Sequence, residues 1–113
     1  MTRTPEEVFA HHGQALGAED LEDILADYAE DAILVLNKEV FRGKDGAREV
    51  FTRLLGDVPQ AQWELDTTFA DDVLYLEWNA TGGGRTIQGA VDTFIFADGQ
   101  IRVQTIAYTV RPV

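Results

Sequence analysis

Few side chains in this sequence can do chemistry, and two stand out by their neighbours: Asp92 and His12. Asp92 lies in Ala90-Val91-Asp92-Thr93-Phe94, and period-two alternation puts its carboxyl on the face of Ala90, Phe94 and Phe96. A carboxylate on an apolar face has to be hydrogen-bonded, ion-paired or protonated. Burial raises an acid's pKa, and a carboxyl group then becomes a proton donor or a poised base. Two readings of Asp92 stand together: a group that moves protons, and a buried acid that holds a local polar network. His12 shares a helical face with Val8, Phe9 and Leu16, so the pattern turns its imidazole inward. There it is either a core histidine bonded to a neighbour or a group that polarises a ligand. His11, beside Glu7 and Gln14, is expected to turn outward.

The same alternation on the last strand groups Arg102, Gln104, Ile106 and Tyr108. Should that face meet the face of Asp92, Gln104 and Tyr108 become hydrogen-bonding groups of a mostly apolar pocket. Phe94, Trp78, Trp63, Tyr28 and Phe69 are candidates for its walls, or plain core. Such a set suits a small apolar molecule bearing a carbonyl or epoxide, with Asp92 as acid or base and His12, Tyr108 or Gln104 polarising an oxygen. Isomerisation, aldol cyclisation, dehydration and epoxide opening all fit those groups.

Other chemistries are excluded. The chain has no cysteine and no serine, which removes disulfides, thiolate and serine nucleophiles, and Cys-based metal centres. His11 and His12 are adjacent and diverge by about 100° on a helix, so they cannot chelate one metal; no metal and no cofactor is expected. Gly82-Gly83-Gly84 lacks the Lys and Ser/Thr of a phosphate loop and reads as a hairpin tip. Asp71-Asp72 and Glu30-Asp31 read as solvated acids at turns and strand starts. Nine Lys plus Arg against twenty Asp plus Glu leave a net charge of −11, which argues against nucleic acid and anionic membranes as partners. The first residues carry no apolar signal stretch, and the default expectation is a cytoplasmic protein.

These residues must be positioned by one domain, since 113 residues with 45% hydrophobic content make a single core over residues 1–113. Thr4-Pro5-Glu6-Glu7 is a helix start, with Thr as N-cap and Glu7 completing a capping box. Asp20 caps a second helix carrying Leu21, Ile24, Leu25 and Tyr28 at helical spacing. Ala32–Leu36 reads as a buried strand, with Val40-Phe41 as a further short one. Gly43 opens a third helix with Ala47, Val50, Phe51, Leu54 and Leu55 on one face, ended by Gly56. The second half reads as antiparallel strands: Trp63 to Phe69, Val73 to Ala80, Thr86 to Phe96 and Ile101 to Val110, with a tight turn at Asp98-Gly99. Helices first and strands afterwards make this α+β, with helices packed on one face of a curved sheet.

Both faces of the late strands are apolar. Ile87, Val91 and Ile95 are expected on one side, and Ala90, Phe94 and Phe96 on the other. Likewise Ile101, Val103 and Ala107 oppose Ile106, Tyr108 and Val110. A sheet with one wet face should show a polar alternate set. The helices cover one face, and a second copy of the chain is the simplest cover for the other.

The stretch Ala18 to Ala32, with Asp20-Leu21-Glu22-Asp23-Ile24 and Tyr28-Ala29-Glu30-Asp31, resembles the second-helix signature of the nuclear transport factor 2-like superfamily. Phe41-Arg42-Gly43 before a helix, and Asp92-Thr93-Phe94 leading to Asp98-Gly99, resemble its later signatures. The superfamily includes ketosteroid isomerases, SnoaL-like polyketide cyclases and limonene epoxide hydrolases, and the resemblance spans nearly the whole chain. It implies a cone of three N-terminal helices on a strongly curved, mixed, mainly antiparallel sheet, and a homodimer through the outer sheet face. Asp92 falls where ketosteroid isomerase has the protonated Asp of its oxyanion hole, and His12 falls near that enzyme's oxyanion-hole Tyr. The isomerase's general base would fall at Leu36, which cannot move a proton, and that departure argues against steroid isomerisation by the family mechanism. Two function classes follow: an isomerase-, cyclase- or lyase-type enzyme using Asp92, or a non-catalytic ligand-binding or dimeric interaction module.

Overall fold

The computed structural model describes residues 2–113. Helix α1 (Pro5–Gly17) begins as its sequence dictates: the Thr4 hydroxyl accepts from the Glu7 amide, and the Glu7 carboxylate accepts from the Thr4 amide. Helix α2 (Leu21–Leu25) is a short segment capped by Asp20, whose carboxylate accepts from the Asp23 amide. Tyr28, expected at the end of that helix, instead starts strand β1 (Tyr28–Leu36), so the apolar spacing Ile24, Leu25, Tyr28 serves two elements. Strand β2 (Glu39–Arg42) and helix α3 (Gly43–Asp57) follow, α3 lying against β1.

The remaining strands are β3 (Gln62–Ala70), β4 (Val73–Gly82), β5 (Arg85–Ala97), β6 (Gln100–Ala107) and β7 (Val110–Pro112). They form one sheet in the order β2-β1-β6-β5-β4-β3, with β1 and β6 parallel and the other pairs antiparallel; β7 pairs with the start of β5. The expected single strand Ile101–Val110 is therefore two, because the chain turns at Tyr108-Thr109 to reach a different stretch of β5. The hairpins close where turn chemistry requires it: Gly83 and Gly84 have φ of 61° and 78°, and Asp98 and Gly99 have 54° and 73°.

Two bulges bend the sheet into a cone and correct the expected facing of its side chains. On β5 three residues pass while β4 passes two: Trp78 faces Ala90 and Ala80 faces Ile87. Gly89 takes a φ of 69° there, its amide donating to Asn79 Oδ1 at 2.8 Å. Ile87 consequently joins Ala90 in the core, fully buried, instead of sharing the outer face with Val91 and Ile95. On β6 the extra residue is Arg102, between Ile101 opposite Phe96 and Val103 opposite Ile95. Ile101 turns into the core and Arg102 out to Asp31, so Arg102 leaves the group that holds Gln104 and Ile106.

The concave face of the sheet and the three helices enclose one core, including Val8, Leu34, Phe51, Leu74, Phe94 and Ile101. The convex face carries no helix. Register places Ile33, Val103, Ile95 and Val73 in one row across it, and Val40, Val35, Thr105, Thr93 and Tyr75 in the next. Among the described residues no helix is long and apolar enough to cross a membrane.

Candidate active site

Asp92 sits mid-β5 on the concave face with only 4% of its surface exposed. Trp78, one strand over on β4, donates its indole N–H to Oδ1 at 2.8 Å. Gln104, on β6, donates its amide N–H to Oδ2 at 3.0 Å. The Gln104 carbonyl in turn accepts from the hydroxyl of Tyr28, on β1. Four adjacent strands thus supply one continuous chain of polar groups, every member buried. Among the described residues no cation pairs with Asp92. Burial pushes its pKa up to about 7, against the pull of the Trp78 and Gln104 hydrogen bonds.

His12 reaches the same region from α1. It is 3% exposed, and burial lowers its pKa to about 4, so the imidazole is neutral at ordinary pH. Tyr28, Phe51 and Phe94 meet it edge to face, with centroids 5.9, 5.4 and 5.7 Å away. Its Nδ1 is buried without a hydrogen-bond partner, the one such side-chain atom among the described residues.

Asp92 and His12 line a single small cavity of about 20 Å³, together with Phe9, Gly13, Leu16, Leu54, Trp63, Leu65, Leu76, Trp78 and Phe94. That volume admits about one water molecule. Larger hollows of about 380 and 430 Å³ lie elsewhere on the sheet, the first beside Glu64, Asp66 and Glu77, the second beside Val35, Thr105 and Ala107; neither is lined by Asp92 or His12. Of the residues read from the sequence as ligand-binding, Phe94, Trp78 and Trp63 line the cavity. Gln104 and Tyr28 stand behind Asp92. Tyr108 lies across Trp78, with centroids 5.7 Å apart, and its hydroxyl donates to Asp57 at 2.8 Å. Burial and that carboxylate raise the Tyr108 pKa, so the phenol stays neutral. Leu36 is core.

One polar cluster escaped the sequence reading. Asp27 is fully buried, its carboxylate accepting from Arg3 at 2.9 Å and from His11 Nδ1 at 2.7 Å. His11 Nε2 meets Asp23 at 3.0 Å, and Arg3 also donates to the Gly99 carbonyl at 2.9 Å. His11 therefore does not point to water: it staples α1 to the segment before β1. The only sequence signal was an acid immediately before a buried aromatic, and nothing local paired it with position 11. Asp27 first, then Asp23, raises the His11 pKa. A basic group with a raised folded pKa stabilises fully below about 6.5 and loses that contribution as pH rises through the folded value. Replacing His11 with Ala should cost about 1 kcal/mol in urea unfolding at acidic pH, with the gap to wild type closing at alkaline pH.

A family model described as a SnoaL-like domain matches residues 9–104. Among solved structures, an NTF-2 like protein of unknown function from Burkholderia xenovorans is 19% identical, with a TM-score of 0.78 over 93% of this chain and 82% of that one. An NTF2-like protein of unknown function from Cytophaga hutchinsonii is 12% identical, with a TM-score of 0.77 over 96% and 93%. SalBIII, an epoxide hydrolase/cyclase-like enzyme in pyran ring formation in the polyether salinomycin, is 17% identical, with a TM-score of 0.77 over 96% and 95%. Comparison with curated proteins finds no match. At these identities the structures speak for the fold, which is NTF2-like.

Proposed function

The chain belongs to the SnoaL-like domain family, and on that premise we propose that its cone takes up a small, largely apolar molecule bearing a carbonyl, hydroxyl or epoxide oxygen, with Asp92 giving or taking its proton. What carries the reading is convergence on one apolar cavity of a carboxyl without a counter-cation and a neutral imidazole with an unpartnered nitrogen. Near neutrality Asp92 populates both protonation states, which suits a group that removes a proton at one atom and returns it at another. Neutral His12 supplies one N–H donor and one bare nitrogen in a site with room for about one water molecule.

The cavity is far smaller than the roughly 300–1,000 Å³ of an ordinary ligand pocket. Uptake therefore requires Leu65, Trp63 or Leu16 to move. Leu65 is 42% exposed, and Trp63 and Leu65 both belong to β3, the edge strand, which is paired on one side only. SalBIII, with its cyclase-like role, supports a proton-moving reading; the tight packing around Asp92 supports the second one, a pocket that binds without turnover.

Solvent deuterium exchange at the carbon next to the carbonyl of small cyclic ketones and enones tests this with simple probe molecules in place of the substrate. The expected result is catalysed exchange that falls about 100-fold in Asp92→Asn. Binding that quenches the Trp63–Trp78 fluorescence with no exchange would leave the binding module, and exchange untouched by Asp92→Asn would remove Asp92 from the reaction.

We propose further that a second copy of the chain covers the convex face. Ile95, Val73 and Tyr75 are 40–42% exposed there and Val40 is 54% exposed, in rows that no element of the fold covers.

A further inference from the structure

The hydrogen bonds around Asp92 have only one self-consistent polarity. Trp78 Nε1 can only donate, and it donates to Oδ1. Gln104 turns its NH₂ toward Oδ2 and its carbonyl toward Tyr28, whose hydroxyl donates. Rotating the Gln104 amide by half a turn would bring its carbonyl to Asp92 and its NH₂ to the Tyr28 oxygen. The Tyr28 hydroxyl hydrogen would then lose its acceptor, because Tyr28 is fully buried, its ring packs on His12 and Phe51, and Gln104 is its side chain's one hydrogen-bond partner. A buried donor left unmade costs more than the bond itself contributes. The phenol therefore holds the amide with its donor end toward Asp92.

That direction has a chemical consequence. An N–H facing a carboxyl group favours the carboxylate, whereas a carbonyl facing it favours the acid. Resting on the reading of Asp92 as the proton-moving group, we propose that Tyr28 and Gln104 are positioning residues: the Tyr28 hydroxyl fixes the sense of the Gln104 amide, and the amide sets how tightly Asp92 holds its proton. The titratable groups that face Asp92 carry no charge at neutral pH. His12 from α1 is neutral, Tyr28 from β1 and Tyr108 beyond Trp78 are protonated phenols, and α3 contributes Leu54 to the shared cavity, its Asp57 carboxylate lying beyond the Tyr108 hydroxyl that donates to it. Burial raises the affinity of Asp92 for its proton, and the two bonds that Asp92 accepts are what hold it down.

The carboxylic C=O stretch of Asp92, assigned by its absence in Asp92→Asn, can be followed against pH by infrared difference spectroscopy. In Tyr28→Phe the amide is free to turn, and the midpoint should rise by about one pH unit, the worth of one hydrogen bond to a charged group. Gln104→Leu should raise it at least as far, and Tyr28→Phe/Gln104→Leu should match Gln104→Leu alone, because Tyr28 acts only through the amide. In the wild-type protein the Gln104 side-chain ¹⁵N–H₂ resonances should titrate with the Asp92 band, a reading that needs no variant. A Tyr28→Phe midpoint unmoved, a double variant whose shift is the sum of the two, or Gln104 resonances indifferent to the Asp92 titration would each overturn the proposal. No substrate enters these measurements, so a failure of Asp92 in turnover and a failure of this relay are read separately.

Discussion

Between pH 7 and pH 4 an Asp92→Asn variant should lose about 3 kcal/mol of stability relative to the wild-type protein, and His12→Leu should gain about as much relative to it. The signs follow from the two buried groups. Asp92 holds its proton up to about pH 7 in the fold, while an unfolded aspartate releases it near 3.8. Over that interval the folded state binds the extra proton, so stability falls as pH rises. His12 does the opposite: it is neutral in the fold down to about pH 4, while the unfolded histidine protonates below 6.5. Over that interval the unfolded state binds the extra proton, so stability falls as pH drops. In the wild-type chain the two slopes nearly cancel between pH 4 and 6.5, and each single variant removes one and exposes the other. Urea unfolding across this range, read as variant minus wild type, strips out the many surface carboxylates and His11, which are common to all three proteins. Parallel curves would show that neither group titrates where its burial places it.

The alternation rule sufficed for Asp92 because Ala90, Asp92, Phe94 and Phe96 form an unbroken period-two run. It sufficed for His12 because α1 is a regular helix behind a strong N-terminal capping box. It failed wherever one residue was inserted: Gly89 and Arg102 each reverse the facing of the residues beyond them, and neither a lone glycine nor an arginine announces a bulge by itself. Asp27 and His11 were illegible for another reason. Their pairing joins residues sixteen apart across α2, and only the packed helices bring them within 2.7 Å. The chain Tyr28–Gln104–Asp92 is the same kind of fact. Each member could be read as inward or aromatic, but the strand order β1-β6-β5 that makes them neighbours includes a parallel pair between distant segments. The size of the cavity was also out of reach, since it depends on how Trp63, Leu65 and Leu16 close over it.

Ile95→Lys should turn a dimer into a monomer. Ile95 lies on β5 with its side chain opposite to that of Asp92, 40% exposed, flanked in register by Val103 and Val73. In a single chain the substitution trades one exposed apolar group for a solvated ammonium, so fold and Asp92 network should survive it. In a two-fold pair it is made twice, and each ammonium would be desolvated on a face where its neighbours in register are Val73 and Val103. Even about 2 kcal/mol per buried charge gives a weakening of about a thousandfold, enough to dissociate a micromolar dimer at any ordinary concentration. The charge of −11 per chain adds a second handle. Two such chains repel, so the wild-type dimer should tighten as salt rises, whereas an interface built on ion pairs would loosen. Sedimentation velocity at low and high salt reads both effects. A wild-type chain that stays monomeric at high concentration in high salt would leave the convex face to some other cover, and an Ile95→Lys dimer would move the interface off this face altogether.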